Sequence, residues 1–177
     1  MIKQGVKMQN KKSKFNWKLP LYGAIGFAIA GAIWWIELIT IGFVDLISAG
    51  IGGAIGGAAF GLALRDKVNI FHPLGASAIG FAIGIWVTEL IIGGDAGFLL
   101  GFIIGGAISG ALLGLVLKDK RKSLYLSCVG AIGFFIGLLA MNALEFVCGS
   151  DIEYVIVGSI SCAIGGVVLG LTLAYLQ

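Results

Sequence analysis

The stretch "GGAIGGAAFGLALRDK", residues 52–67, returns as "GGAISGALLGLVLKDK" at residues 105–120. In both copies a ladder of glycines spaced four apart runs through an apolar segment and ends on a charged stop. Sliding the chain by 53 positions lays Gly53, Gly57 and Gly61 on Gly106, Gly110 and Gly114, and a further shift of 56 reaches Cys162, Gly166 and Gly170 in "CAIGGVVLGLTLAY". The segments between the ladders agree as well: "AIGFAIAG", "AIGFAIGI" and "AIGFFIGL" begin at Ala24, Ala78 and Ala131. A period of this length points to tandem copies of one supersecondary unit.

The kind of unit follows from composition. The 177 residues are 59% hydrophobic and 12% charged, far from the roughly 25% charged content of soluble domains. Six apolar runs, at about 17–40, 43–64, 71–92, 96–117, 124–147 and 152–176, are each long enough to cross a hydrocarbon core of about 30 Å as a helix rising about 1.5 Å per residue. The expected fold is therefore an all-α integral membrane protein with six transmembrane helices. A basic arm at 1–16 precedes three helical hairpins at 17–67, 68–122 and 123–177, which together make one membrane domain. Each repeat holds two spans, so all three enter the membrane in the same sense and favour a pseudo-threefold bundle about the bilayer normal, unlike inverted repeats. The amino-terminal arm lacks a small-residue cleavage pattern, so the first span is expected to stay in the membrane.

Charge sets an orientation. All twelve Lys and Arg residues fall in the arm with its boundary, in the joint after the second span (Arg65, Lys67) or in the joint after the fourth (Lys118, Lys120, Arg121, Lys122). With six spans these segments share one face, which the positive-inside rule makes cytoplasmic, together with both termini. The expected location is the cytoplasmic membrane of a bacterium. The net charge of +3 gives no reason to expect nucleic acid; six lysines beside a membrane suit anionic lipid headgroups.

Residues four apart share a helix face, so Gly53, Gly57, Gly61, their copies Gly106, Gly110, Gly114, and Gly166 with Gly170 form smooth packing faces. Lipid gives helices little hydrophobic reason to associate, and close approach through small residues supplies the contact instead. Gly26 with Ala30, Gly80 with Gly84 and Gly133 with Gly137 supply the partner surfaces on the odd spans. Because both members of each hairpin carry a stripe, the packing is expected to be within the chain.

Chemistry-bearing residues are few. Asp45, Asp95 and the pair Ser150 and Asp151 precede or open the even spans, where capping of free N–H groups is their expected role. A ring of carboxylates that attracts cations is the sharper alternative. Glu37, Glu89 and Glu145 lie about 30, 26 and 31 Å from the inner boundary at about 1.5 Å per residue. An acid inside a span is a functional hypothesis by default, which makes these three, with Asp45, Asp95 and Asp151, the candidate cation or proton site. At about 100° per residue, Glu37 falls about 20° from Gly26, Glu89 about 180° from Gly80 and Glu145 about 120° from Gly133, so regular helices do not aim all three at one axis. Trp34, Trp35 and Trp86 are expected in the outer aromatic belt and Trp17 in the inner one. His72 with Pro73 opens the third span and reads as a polar cap.

Cys128, Cys148 and Cys162 have neither paired spacing nor histidine neighbours, so no disulfide framework, metal site or cofactor is expected. No nucleophile, histidine and acid gather, and no phosphate loop occurs, which argues against an enzyme. Two functional expectations remain. One is a non-catalytic accessory subunit or scaffold whose partners are membrane lipids and other integral membrane subunits or further copies of itself. The other is a small cation or proton channel or carrier with an acidic outer mouth.

Overall fold

The computed structural model describes residues 15–41, 46–145 and 151–176, apart from the side chains of Leu38, Ile41, Asp95, Glu145, Asp151, Ile152, Glu153 and Tyr154. The described residues form six α-helices: α1 (Lys18–Ile41), α2 (Leu46–Ala63), α3 (Phe71–Ile91), α4 (Gly94–Val116), α5 (Lys120–Glu145) and α6 (Asp151–Tyr175). All six are long and apolar enough to cross a membrane, and no strand occurs among the described residues. The described part of the chain is all-helical and has the form of a polytopic integral membrane protein. Helices meet the demand that lipid makes, since every backbone polar group within the bilayer is satisfied inside its own segment.

Short polar residues start the odd helices. Asn16 Oδ1 accepts the Lys18 N–H at 3.2 Å, Asn69 Oδ1 accepts the Phe71 N–H at 3.1 Å, and Asp119 Oδ1 accepts those of Arg121 and Lys122 at 3.0 and 3.2 Å. Side-chain oxygens satisfy orphan donors at helix starts in this way. The capping expected of His72 falls to Asn69, because His72 already lies inside the first turn of α3 and its side chain is exposed. The turn into α4 uses Gly93 and Gly94 at φ 68° and 60°, so Asp95 stands in the first turn of α4, two residues past the N-cap glycine.

Each helix packs on its neighbours in sequence, and α6 closes back on α1, so the six helices form a ring. The ring is filled. Phe27 of α1, Phe81 of α3 and Phe134 of α5, all buried, meet with ring centroids 5.5, 5.2 and 5.0 Å apart. Trp34 stacks above them, 5.3 Å from Phe81 and 4.9 Å from Phe102, and Phe98 links Phe102 to Trp35 at 4.8 and 6.2 Å. Such edge and tilted pairings are the favoured geometries of aromatic rings.

This column corrects the expected belt. Trp34 is fully buried and Trp35 is 8% exposed, while Trp86 and Trp17 are 52% and 72% exposed. Trp34 turns inward because its Nε1–H finds the Ser48 carbonyl at 2.8 Å, which satisfies its polar edge within the bundle. Gly52 leaves the space its indole fills, and Gly158 does the same for Trp35.

The glycine doublets divide two tasks. In α2, Gly52 and Gly56 face Trp34 and Phe27, whereas Gly53 and Gly57 lie on the α3 backbone at Ser77 and Pro73. In α6, Gly165 faces Phe134 while Gly166 lies on the Gly23 carbonyl of α1. The ladders therefore pack each even helix on the following hairpin: Gly61 meets Ile70, Gly106 meets Gly130, Gly110 meets Leu126, Gly114 meets Ser123, and Gly170 meets Leu19 and Pro20. The odd-helix glycines expected to supply partner surfaces close their own hairpins. Gly26 lies on Gly56 and Ala59, Gly80 on Ser109, Gly84 on Gly105, Gly133 on Gly165 and Val168, and Gly137 on Ser161. At the α6 seam Gly170, rather than Gly166, takes the place that Gly110 holds against Leu126. That slip of one turn leaves the same face in use, since residues four apart lie on it together.

Candidate functional site

Of the six candidate acids, Glu37 and Glu89 have described side chains. Asp45 lies outside the described residues, and so do the side chains of Asp95, Glu145 and Asp151. Glu37 is half-buried on the α1/α2 seam, in a groove of about 320 Å³ that it shares with Ile33, Ile36, Thr40, Ser48 and Ile51. This is the seam that Gly26 serves, as the angular reading of Glu37 against Gly26 predicts. Its Oε2 is buried without a hydrogen bond. The Thr40 hydroxyl donates to the backbone carbonyls of Ile36 and Glu37 at 2.7 and 3.3 Å, not to the carboxylate. Glu89 is half-buried on α3 and does not line that groove. No described bond joins the two acids.

A conducting lane needs polar groups that face a continuous passage. Four hydroxyls of the ring turn back on their own helices instead. Thr88 donates to Gly84 O at 2.8 Å, Ser159 to Val155 O at 2.6 Å, Ser161 to Val157 O at 2.9 Å and Thr172 to Val168 O at 3.0 Å. Asn142 Nδ2 does the same with Leu138 O at 2.9 Å. Ser109 reaches across to Ser77 O at 3.3 Å, and Ser77 Oγ is buried without a partner. Beside the aromatic column, a cavity of about 10 Å³ lies among Trp35, Phe102, Phe134, Leu138, Met141, Cys162 and Ser161, whose hydroxyl is bonded to its own helix. That is about the volume of a single water position.

A different cluster stands at the opposite end of the bundle. The joint after α2, the end of α4, the start of α5 and the end of α6 enclose a cup of about 310 Å³, lined by Lys67, Lys118 and Lys122 together with Val116, Leu173 and Leu176. Lys118 has φ 57°, the left-handed region where glycine is usual. Its N–H bonds to Leu115 O at 2.8 Å and that of Asp119 to Gly114 O at 3.3 Å, the paired bonds of a Schellman helix end with Lys118 at the C′ position. Asp119 binds the start of α5 through Oδ1, while Oδ2 lies 3.9 Å from Lys122 Nζ. Sequence reasoning used these lysines only to orient the chain. Their convergence was signalled by "RDK" and "KDK" ending two even spans, which meet once the even helices close a ring.

Among the described residues no three of His, Cys, Asp and Glu gather as a metal site. Cys128 is exposed and Cys162 buried. No protein-family model matches the chain, and neither a curated protein nor a solved structure is significantly similar to it.

Proposed function

We propose that this chain is a non-catalytic membrane scaffold or accessory subunit, built from three tandem hairpins about a pseudo-threefold axis. Its termini lie on the cytoplasmic face of a bacterial inner membrane, the side to which its basic joints assign them. One observation carries the reading: Phe27, Phe81 and Phe134 occupy the axis where a pore through a single copy would run. The outward faces support it. Ile25, Ile29, Ile83, Ile132, Ile136 and Ile160 present a continuous apolar exterior, suited to lipid tails and to the helices of other membrane proteins or further copies. The rival reading, a cation or proton carrier, draws on the unpaired Oε2 of Glu37.

Tagged protein solubilised from native membranes in mild detergent and cross-linked beforehand tests the proposal. A discrete assembly of fixed stoichiometry, with membrane partners or with itself, is the expected outcome. A lone monomer that catalyses ion flux after reconstitution overturns it.

A further inference from the structure

The basic cup has the chemistry of an anion site, whichever compartment that end of the bundle faces. Its volume of about 310 Å³ falls at the lower end of small-ligand pockets, at roughly 300 Å³ and above. Three lysines from two separate joints line it, and an ammonium group carries three donors and no acceptor. Asp119 is turned to the backbone of α5 and to Lys122, and Lys118 has no acidic partner among the described residues. The rest of the surround is aliphatic, from Val68, Val116, Leu117, Leu173 and Leu176, which lowers the local dielectric and strengthens a charge-assisted bond. Lys118 further occupies a left-handed position where glycine costs less. Its side chain is thus kept at the rim at the expense of backbone comfort.

We propose that the cup binds a phosphate group, presented by an anionic lipid headgroup or as free phosphate. Basic pockets between membrane helices hold phosphorylated headgroups by this chemistry. The Nζ groups of Lys118 and Lys122 contact the phosphate oxygens, Lys67 adds its charge to the lining, and the aliphatic side chains receive the adjoining glycerol when the source is a lipid.

Thermal unfolding of the purified full chain in zwitterionic detergent tests this, with inorganic phosphate, short-chain phosphatidylglycerol or short-chain phosphatidylcholine added in separate arms. A rise in Tm with phosphatidylglycerol and none with phosphatidylcholine is expected. The same plateau with inorganic phosphate shows that the free anion suffices, and a rise with the lipid alone assigns the source to the membrane. Lys118→Gln with Lys122→Gln should weaken half-saturation by about tenfold or more, as loss of charge-assisted contacts does. Lys120→Gln with Arg121→Gln removes the same charge from residues outside the cup and should stay within about twofold of wild type, as screened exposed charges do. Equal weakening in both double variants, or no rise in wild type with either anion, overturns the proposal. Should the first pair fail to fold, Lys118→Gly serves in its place: the unliganded protein should melt higher than wild type and respond less to the anion. An unchanged response to the anion in Lys118→Gly contradicts the site.

Discussion

Replacing Gly110 with alanine adds one methyl group at the α4/α5 seam, where no flexible side chain can give way. A Cβ there would stand 2.5 Å from the Leu126 carbonyl carbon and 3.0 Å from the Ser127 nitrogen, against the backbone of α5. Ordinary contact begins near 3.4 Å, so the two helices must part by about 1 Å along a seam that also joins Gly106 to Gly130 and Gly114 to Ser123. A gap of that size forfeits a quarter to a half of each well of about 0.1 to 0.2 kcal/mol, and a seam of on the order of 30 close atom pairs then loses about 1 to 3 kcal/mol. Alanine also gains about 1 kcal/mol over glycine in helix propensity, and Gly75→Ala isolates that gain because nothing lies within 4 Å of its added Cβ. In detergent unfolding titrations Gly75→Ala should therefore be stabilised and Gly110→Ala should fall below it by the seam's about 1 to 3 kcal/mol. Equal shifts in the two variants would refute the account of the ladder as a backbone-to-backbone contact.

Phe81 touches Phe27, Phe134, Trp34 and Phe102, so Phe81→Ala should destabilise the bundle by about 3 to 5 kcal/mol in the same titration. The vacated space is apolar and stays dry, so the variant should remain silent in flux assays; a leak through it would show that water reaches the axis. Trp34→Phe removes the indole donor to Ser48 O, and the loss of this one buried hydrogen bond should cost about 0.5 to 1.5 kcal/mol. Trp86→Phe, on the exposed surface, should stay within about 0.5 kcal/mol of wild type, and a larger effect would mark that surface as packed.

Span positions were legible from the sequence to within a few residues, because a bilayer selects for runs of about 20 apolar residues whatever the tertiary context. The faces of the glycines were legible too, since four-residue spacing alone places Gly53, Gly57 and Gly61 together. Which helix each face meets was not. Spacing carries no information on neighbours, and the ladder of α2 turned out to meet α3 rather than α1. The tryptophans misled for a similar reason. Depth in the membrane places Trp34 and Trp35 near an interface, but rotation about the helix decides between lipid and core, and rotation was set by the sockets at Gly52 and Gly158. His72 does not cap α3 because it lies inside the first turn, whereas the short amide of Asn69 precedes the helix and accepts the Phe71 N–H. Of the acids, the angular relation of Glu37 to Gly26 was readable and holds. The basic cup was signalled only by the charged ends of two even spans: its three lysines lie 51 and 4 positions apart, from Lys67 to Lys118 and on to Lys122, and ring closure assembles them.

The central claim is that the axis of this bundle is closed by three phenylalanines and that the protein does not conduct. Reconstitution of the purified chain alone into liposomes, under potassium and proton gradients read by entrapped dyes, tests it most directly. The account expects traces that superimpose on those of protein-free vesicles. Selective flux in wild type that Glu37→Gln or Glu89→Gln abolishes would contradict it.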